Sequence, residues 1–152
     1  MKVYFAGPLF TTPERAWNAE VVTALRAAGH EIFLPQEKEP GLDAAGIFAT
    51  DVGGIDGAEG LVAIMDGADP DAGTSWEVGY AYGSKKPILL VRTDIRDVAG
   101  EEVAYNAMLA ESATLRLDLP SASTIKVITA ILEALSTIHR DPRPASRSAG
   151  IL

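Results

Sequence analysis

The sequence predicts an α/β fold: a flavodoxin-like, doubly wound sheet of five parallel strands with helices on both faces. Short apolar runs rich in β-branched residues alternate with longer stretches of helical spacing, from the first residues to about residue 139. The runs are apolar at nearly every position, as strands covered on both faces are. The chain has 152 residues, 47% of them hydrophobic, which suits one domain around one core. Right-handed crossovers between parallel strands then place helices on both sides. Residues 1–139 are expected to form that domain, and 140–152 a flexible Pro-, Arg- and Ser-rich tail.

The first strand is read at 2–6 (KVYFA), ending where Gly7-Pro8 forces a loop. Thr12 then caps a helix with Pro13 at its first position, and Trp17, Val21, Val22, Leu25 and Ala28 recur at helical spacing until Gly29. A second strand at 31–34 stops at Pro35. Residues 42–57 read as one or two helical segments broken near Gly53-Gly54. A third strand follows at 60–65, a helix at 73–84, a fourth strand at 87–91, a helical stretch at 101–112, a weak fifth strand at 114–117 and a long final helix at 121–139. In such folds ligands sit beyond the carboxyl ends of the strands, so the loops after strands one, two and three should hold any site.

Composition removes several classes of chemistry. The chain has 13 Lys plus Arg against 21 Asp plus Glu, a formal charge of −8, so it repels a nucleic-acid backbone. With no Cys there are no disulfides and no thiolate nucleophiles, and His30 and His139 are too far apart in sequence to suggest a metal site. No apolar run approaches membrane-span length and no signal peptide precedes the first strand, so the expected location is cytoplasmic, with no membrane partner.

Carboxylates remain. Asp66, Asp69, Asp71 and Glu77 follow the third strand; Asp51 and Asp56 precede it. Crowded carboxylates can divide into an ionised partner and a protonated one, which is the equipment for glycosyl transfer. Acidic loops are more often simply solvated. Glu77 also fits a structural pattern, because Thr74-Ser75-Trp76-Glu77 reads as a capping box with Thr74 as cap. The competing reading places Glu77 in the first helical turn at the sheet's carboxyl edge, where the helix end favours an anion. Gly7-Pro8 and Gly53-Gly54 match neither a dinucleotide fingerprint nor a P-loop and read as tight turns. Lys85-Lys86 reads as a helix end favoured by the dipole, and His30 as structural.

Taken together, five segments resemble the nucleoside 2-deoxyribosyltransferase family, in order from residue 2 to about 138. They are Tyr4-Phe5-Ala6-Gly7-Pro8-Leu9-Phe10, Leu34-Pro35-Gln36, Asp51 ahead of Ile55, the run from Asp71 to Ala81 (DAGTSWEVGYA), and Asn106-Ala107-Met108. The resemblance implies transfer of a 2-deoxyribosyl group from a 2′-deoxynucleoside to another free nucleobase, with net retention. It implies Glu77 as the nucleophile at C1′, oriented by the Tyr4 hydroxyl, with Asp51 and Asp71 sharing acid and sugar-binding work. It further implies Gly7, Phe10, Gln36, Gly73 and Trp76 around the substrate, and Asn106 and Met108 reaching a neighbouring subunit's site in a homo-oligomer. No metal or cofactor is required. The polar residues after His139 depart from the family's pattern, in which the chain's own end can enter the site.

Two relatives and one unrelated class stand as alternatives. A 2′-deoxynucleoside 5′-phosphate N-hydrolase would show a Gly-Ser-x-Arg stretch after the first strand, where this chain has Gly7-Pro8-Leu9-Phe10 with neither hydroxyl nor cation. A phosphoribohydrolase would carry Pro-Gly-Gly where Asp69-Pro70-Asp71-Ala72 stands. A non-catalytic flavodoxin-like binding or receiver module is permitted by the fold alone, but a receiver would show acidic residues after the first strand.

Overall fold

The computed structural model describes residues 1–38, 40–96 and 106–140. Five strands, β1 (Lys2–Ala6), β2 (Glu31–Phe33), β3 (Gly60–Ile64), β4 (Ile88–Arg92) and β5 (Leu115–Asp118), form one sheet in the order β2-β1-β3-β4-β5. All four pairings are parallel, Tyr4 lying opposite Phe33 on one side and Leu61 on the other. The order reverses between β1 and β3, the switch point at which this class of sheet opens a crevice.

Strand alternation divides the interior into two layers. Val3 and Phe5 point to one face, where α1 (Thr12–Ala27) and α5 (Thr124–Arg140) cover them with Val21, Val22, Leu25, Val127, Ile131 and Leu135. Tyr4 and Ala6 point to the other, covered by α2 (Ala44–Gly57), α3 (Ala72–Gly83) and α4 (Ala107–Ser112) through Ile55, Val78, Ala81 and Leu109. A side chain as buried as Leu25 contributes about 1.5–3 kcal/mol. Tyr4, also fully buried, is the one phenol in either core cluster that reaches a carboxylate from inside a strand.

Two readings of the helices are corrected. The cap of α1 is Thr11, not Thr12: Glu14 N–H donates to Thr11 Oγ1, and the Glu14 carboxylate returns to the Thr11 N–H, a capping box with Pro13 in the first turn. The segment around Gly53-Gly54 is not a turn. It runs unbroken through α2, because Gly54 faces β2 and a Cβ there would lie 2.7 Å from the Phe33 ring. The glycine serves close approach, which outweighs its helix cost of about 1 kcal/mol. Lys86 follows α3, yet its ammonium donates to the carbonyls of Asp56 and Ala58, so it closes the end of α2. The expected helical stretch at 101–112 is helix from Ala107 to Ser112; its residues 101–105 lie outside the described residues, as does the tail from 141 onward.

Candidate active site

Glu77 is not part of a capping box. Helix α3 begins at Ala72 with Asp71 as its cap, the Asp71 carboxylate accepting the Thr74 N–H at 2.8 Å and the Thr74 hydroxyl at 3.1 Å. That puts Glu77 in the second turn, beyond the reach of the helix-end charge. Its partner is instead the Tyr4 hydroxyl, which donates to Glu77 Oε1 from the middle of β1. Asp51, on the neighbouring α2, adds its negative charge near the same hydroxyl. Burial first, and then the Glu77 carboxylate, push the Tyr4 phenol far above its ordinary pKa, so it remains a proton donor throughout the working range. The Phe33 ring stacks on Tyr4 at 5.3 Å and fixes its plane. Three residues widely separated in sequence thus meet at one oxygen.

The second region is a cleft of about 510 Å³ on the α1 side of the switch point. Pro8, Phe10, Glu14, Trp17 and Asn18 line one side; Asp66, Gly67, Asp69, Asp71, Thr93 and Arg96 line the other. Its far wall is a polar network. Asp66 accepts from the Thr93 N–H and hydroxyl, both at 2.6 Å, and from the Asp94 N–H at 3.0 Å. Asp94 accepts the Gly67 N–H and is gripped by the Arg96 guanidinium, which holds its carboxyl well below the usual carboxylate range. Arg92, 3% exposed, donates to the carbonyls of Met65, Gly67 and Arg96, tying both loops to the end of β4. Asp71 joins the two regions: it faces the cleft and caps the helix that carries Glu77.

The remaining predicted residues are distributed unevenly. Gly7 packs against Ile64, where a Cβ would approach to 3.2 Å, and Gly73 leaves room for the Asp71 carboxylate. Phe10 stands 73% exposed at the cleft's lip. Trp76 does not line that cleft; it stacks on Tyr80 and tilts against Phe48 across α2 and α3. Gln36 is engaged at both ends within the chain, its amide donating to the Arg15 carbonyl and its oxygen accepting from Asn18. Asn106 caps α4 with its own oxygen, accepting from Met108 and Leu109, and Met108 is 84% exposed.

Several site residues escaped the sequence reading. Asn18, 3% exposed, bridges the Pro8 carbonyl and Gln36, and its apolar neighbours in α1 signalled a core position only. Arg96 brings a cation to a cleft expected to have none, arriving from beyond β4 rather than from the loop after β1. Phe48 stands one turn before Asp51 on α2, a helical spacing that would have revealed it. Among the described residues no group of three His, Asp or Glu side chains is arranged to hold a metal, and no helix is long and apolar enough to cross a membrane.

The fold occurs in solved proteins that share this arrangement of elements. A 2-deoxyribosyltransferase from Bacillus psychrosaccharolyticus is 26% identical with a TM-score of 0.66, covering 84% of this chain and 90% of that one. A conserved protein from Enterococcus faecalis is 25% identical with a TM-score of 0.68, over 88% and 98% of the two chains. A CMP N-glycosidase from Clostridium botulinum, 15% identical with a TM-score of 0.64 over 88% and 99%, shares the fold. No curated protein matches the sequence. The profile of the nucleoside 2-deoxyribosyltransferase family matches residues 3–119, which include Tyr4, Asp51, Asp71, Glu77 and Asn106, and the chain belongs to that family.

Proposed function

We propose that this protein transfers 2-deoxyribose between nucleobases by double displacement at Glu77. The observation that carries the reading is the buried Tyr4 hydroxyl donating to the Glu77 carboxylate, with the Asp51 charge near it, inside a member of this family. A phenol has one proton to give, and here it goes to Glu77. That bond orients the Glu77 carboxylate, which attacks C1′ of a 2′-deoxynucleoside. The C1′–N bond breaks as the Glu77–C1′ ester forms, and Asp51 delivers a proton to the departing base. An incoming base attacks from the face just vacated, Asp51 takes the proton back, and Glu77 is released with net retention. Two carboxylates at one hydroxyl suit this division, since one works ionised and the other as an acid.

Asp71 holds sugar hydroxyls in this scheme while keeping α3 capped. Phe48 and Trp76 offer an aromatic wall beside Asp51 and Glu77. Asn106 and Met108, exposed at the start of α4, complete a neighbouring subunit's site in a homo-oligomer. A dissociated subunit would then lose turnover, which sedimentation paired with assay reads.

The deciding experiment incubates the protein with deoxyinosine and adenine and separates the products. Deoxyadenosine plus hypoxanthine establishes transfer. Hypoxanthine with free deoxyribose makes water the acceptor and the protein a hydrolase. Intact substrate removes the reading altogether.

A further inference from the structure

Resting on that reading, we propose that Glu14 is a specificity-determining residue: its carboxylate fills the anion position of the loop after β1 and so keeps substrates with a 5′-phosphate out of the cleft. The loop that follows the first strand, ending in a helix start, is where a fold of this kind would cradle a phosphate on backbone amides. Here two of those amides, on Phe10 and Thr11, are already used. Glu14 Oε2 accepts the Phe10 N–H at 2.9 Å and the Thr11 N–H at 2.8 Å. Pro8 and Pro13 have no N–H to offer. A phosphate entering beside Phe10 would therefore have to expel a bound carboxylate that the chain itself supplies.

The cleft gives such a phosphate little elsewhere. Glu14 shares the lining with Asp66, Asp69 and Asp71, three more carboxylates, and Arg96 is the one cation among the described lining residues. That cation is committed to Asp94 through Nε and Nη2. A dianion would meet like charges on both walls and no unengaged guanidinium, while an uncharged 5′-hydroxyl would donate a hydrogen bond to any of these carboxylates. The capping box alone explains why position 14 is acidic or amide-bearing. It does not explain why the charged form faces the cleft, and the two accounts part on substitution.

The test compares wild type with Glu14→Gln and Glu14→Ser on a 2′-deoxynucleoside and on its 5′-monophosphate. Glutamine still accepts from the Phe10 and Thr11 amides, so it preserves the turn and removes only the charge. The expected result is a wild-type preference for the nucleoside in kcat/KM that narrows by about 10-fold or more in both variants, the size of effect that a charge at a hydrogen-bonded substrate group exerts. Calorimetric binding of the same two ligands, measured in a Glu77→Ala background, should show the same narrowing without turnover. An unchanged ratio in both variants, with turnover intact, overturns the proposal and leaves Glu14 a cap. A wild type that prefers the monophosphate, and loses that preference in Arg96→Gln, also overturns it and gives the phosphate to Arg96. Absent turnover on every base pair with the binding discrimination preserved would defeat the transfer reading and not this one.

Discussion

Two groups of carboxylates lie at the same edge of the sheet and are held in opposite ways. On the α1 side, Glu14, Asp66, Asp71 and Asp94 each accept backbone N–H groups, which fix loops and helix ends. On the α2–α3 side, Glu77 receives a buried phenol contributed by a central strand. Backbone amides are available wherever a helix begins or a loop turns, so a carboxylate that takes them performs a structural task first. A buried Tyr hydroxyl in a β-strand has no such local origin. It spends a polar group inside an apolar layer, at a cost of about 1–3 kcal/mol if left unpaired, and the Glu77 contact offsets it. Charge alone therefore does not separate these two groups, but the origin of their partners does.

The largest expected effect tests the α2–α3 side. Glu77→Ala should lower kcat by about 10^4-fold or more, as loss of a covalent nucleophile does. It removes the acceptor of the Tyr4 hydroxyl, at up to about 1–3 kcal/mol of stability, whereas Glu77→Gln keeps an acceptor and should unfold close to wild type while remaining inactive. Normal turnover in Glu77→Gln would place Glu77 with the structural carboxylates and erase the distinction.

Tyr4→Phe comes next. Removing the hydroxyl should reduce kcat by about 10- to 100-fold, the scale of losing a positioning hydrogen bond to a nucleophile. It carries an independent signature. Because the Tyr4 phenol is raised in the folded state, it should stay protonated at pH 11, so the native absorbance rise at 295 nm should be the same in Tyr4→Phe as in wild type. The sign for stability follows. A group whose pKa is higher folded than unfolded stabilises fully below the unfolded value and loses that contribution as pH rises above about 10. Tyr4→Phe should accordingly lose less stability between neutral pH and pH 11 than wild type does. A smaller absorbance rise in the variant would mean that Tyr4 ionises in the folded protein.

Much of this was legible beforehand, and the misses share a cause. Strand runs such as GLVAI and ILLVR are short, apolar and bounded by turn residues, so the five strands follow from local pattern and their parallel pairing from the helices between them. The positions of Tyr4, Asp51 and Glu77 were named from the family's motifs, but their meeting at one hydroxyl depends on the register of β1 and the packing of two helices. T-x-x-E at Thr74 fits a capping box, yet D-x-x-T at Asp71 fits an Asp cap three residues earlier, and the Asp71 carboxylate takes the Thr74 N–H. Arg96 and Asn18 enter the cleft from distant segments, and no spacing rule relates them to the loop after β1.

Asp71 sits between the two groups and divides the effect accordingly. Asp71→Ala should cost about 0.5–2 kcal/mol for the lost cap and also reduce turnover. Asp71→Ser restores the cap, so its unfolding midpoint should return toward wild type. Activity that returns with the midpoint assigns Asp71 to structure; activity that stays low in a well-folded Asp71→Ser assigns its carboxylate to the substrate.

The smallest effect is also the most discriminating for how the site is built, because it uses adjacent glycines that touch nothing catalytic directly. A Cβ at Gly53 meets no atom within 4 Å, so Gly53→Ala should stabilise α2 by about 0.5–1 kcal/mol through helix propensity alone. A Cβ at Gly54 would lie 2.7 Å from the Phe33 ring, and that ring stacks on Tyr4. Overpacking of this kind costs about 1–3 kcal/mol, which exceeds the same helix gain, so Gly54→Ala should destabilise. The Phe33 ring has to move, and the ring it stacks on carries the hydroxyl that donates to Glu77. Gly54→Ala should therefore lower kcat by about 3- to 10-fold at a substrate KM close to wild type, the pattern of a displaced positioning group. Denaturant unfolding and steady-state kinetics on the two single variants check both signs. Equal stabilisation by the two alanines, with unchanged kcat, would mean that Phe33 yields without moving Tyr4, and the hydroxyl would then owe its position to the strand register and the two carboxylates alone.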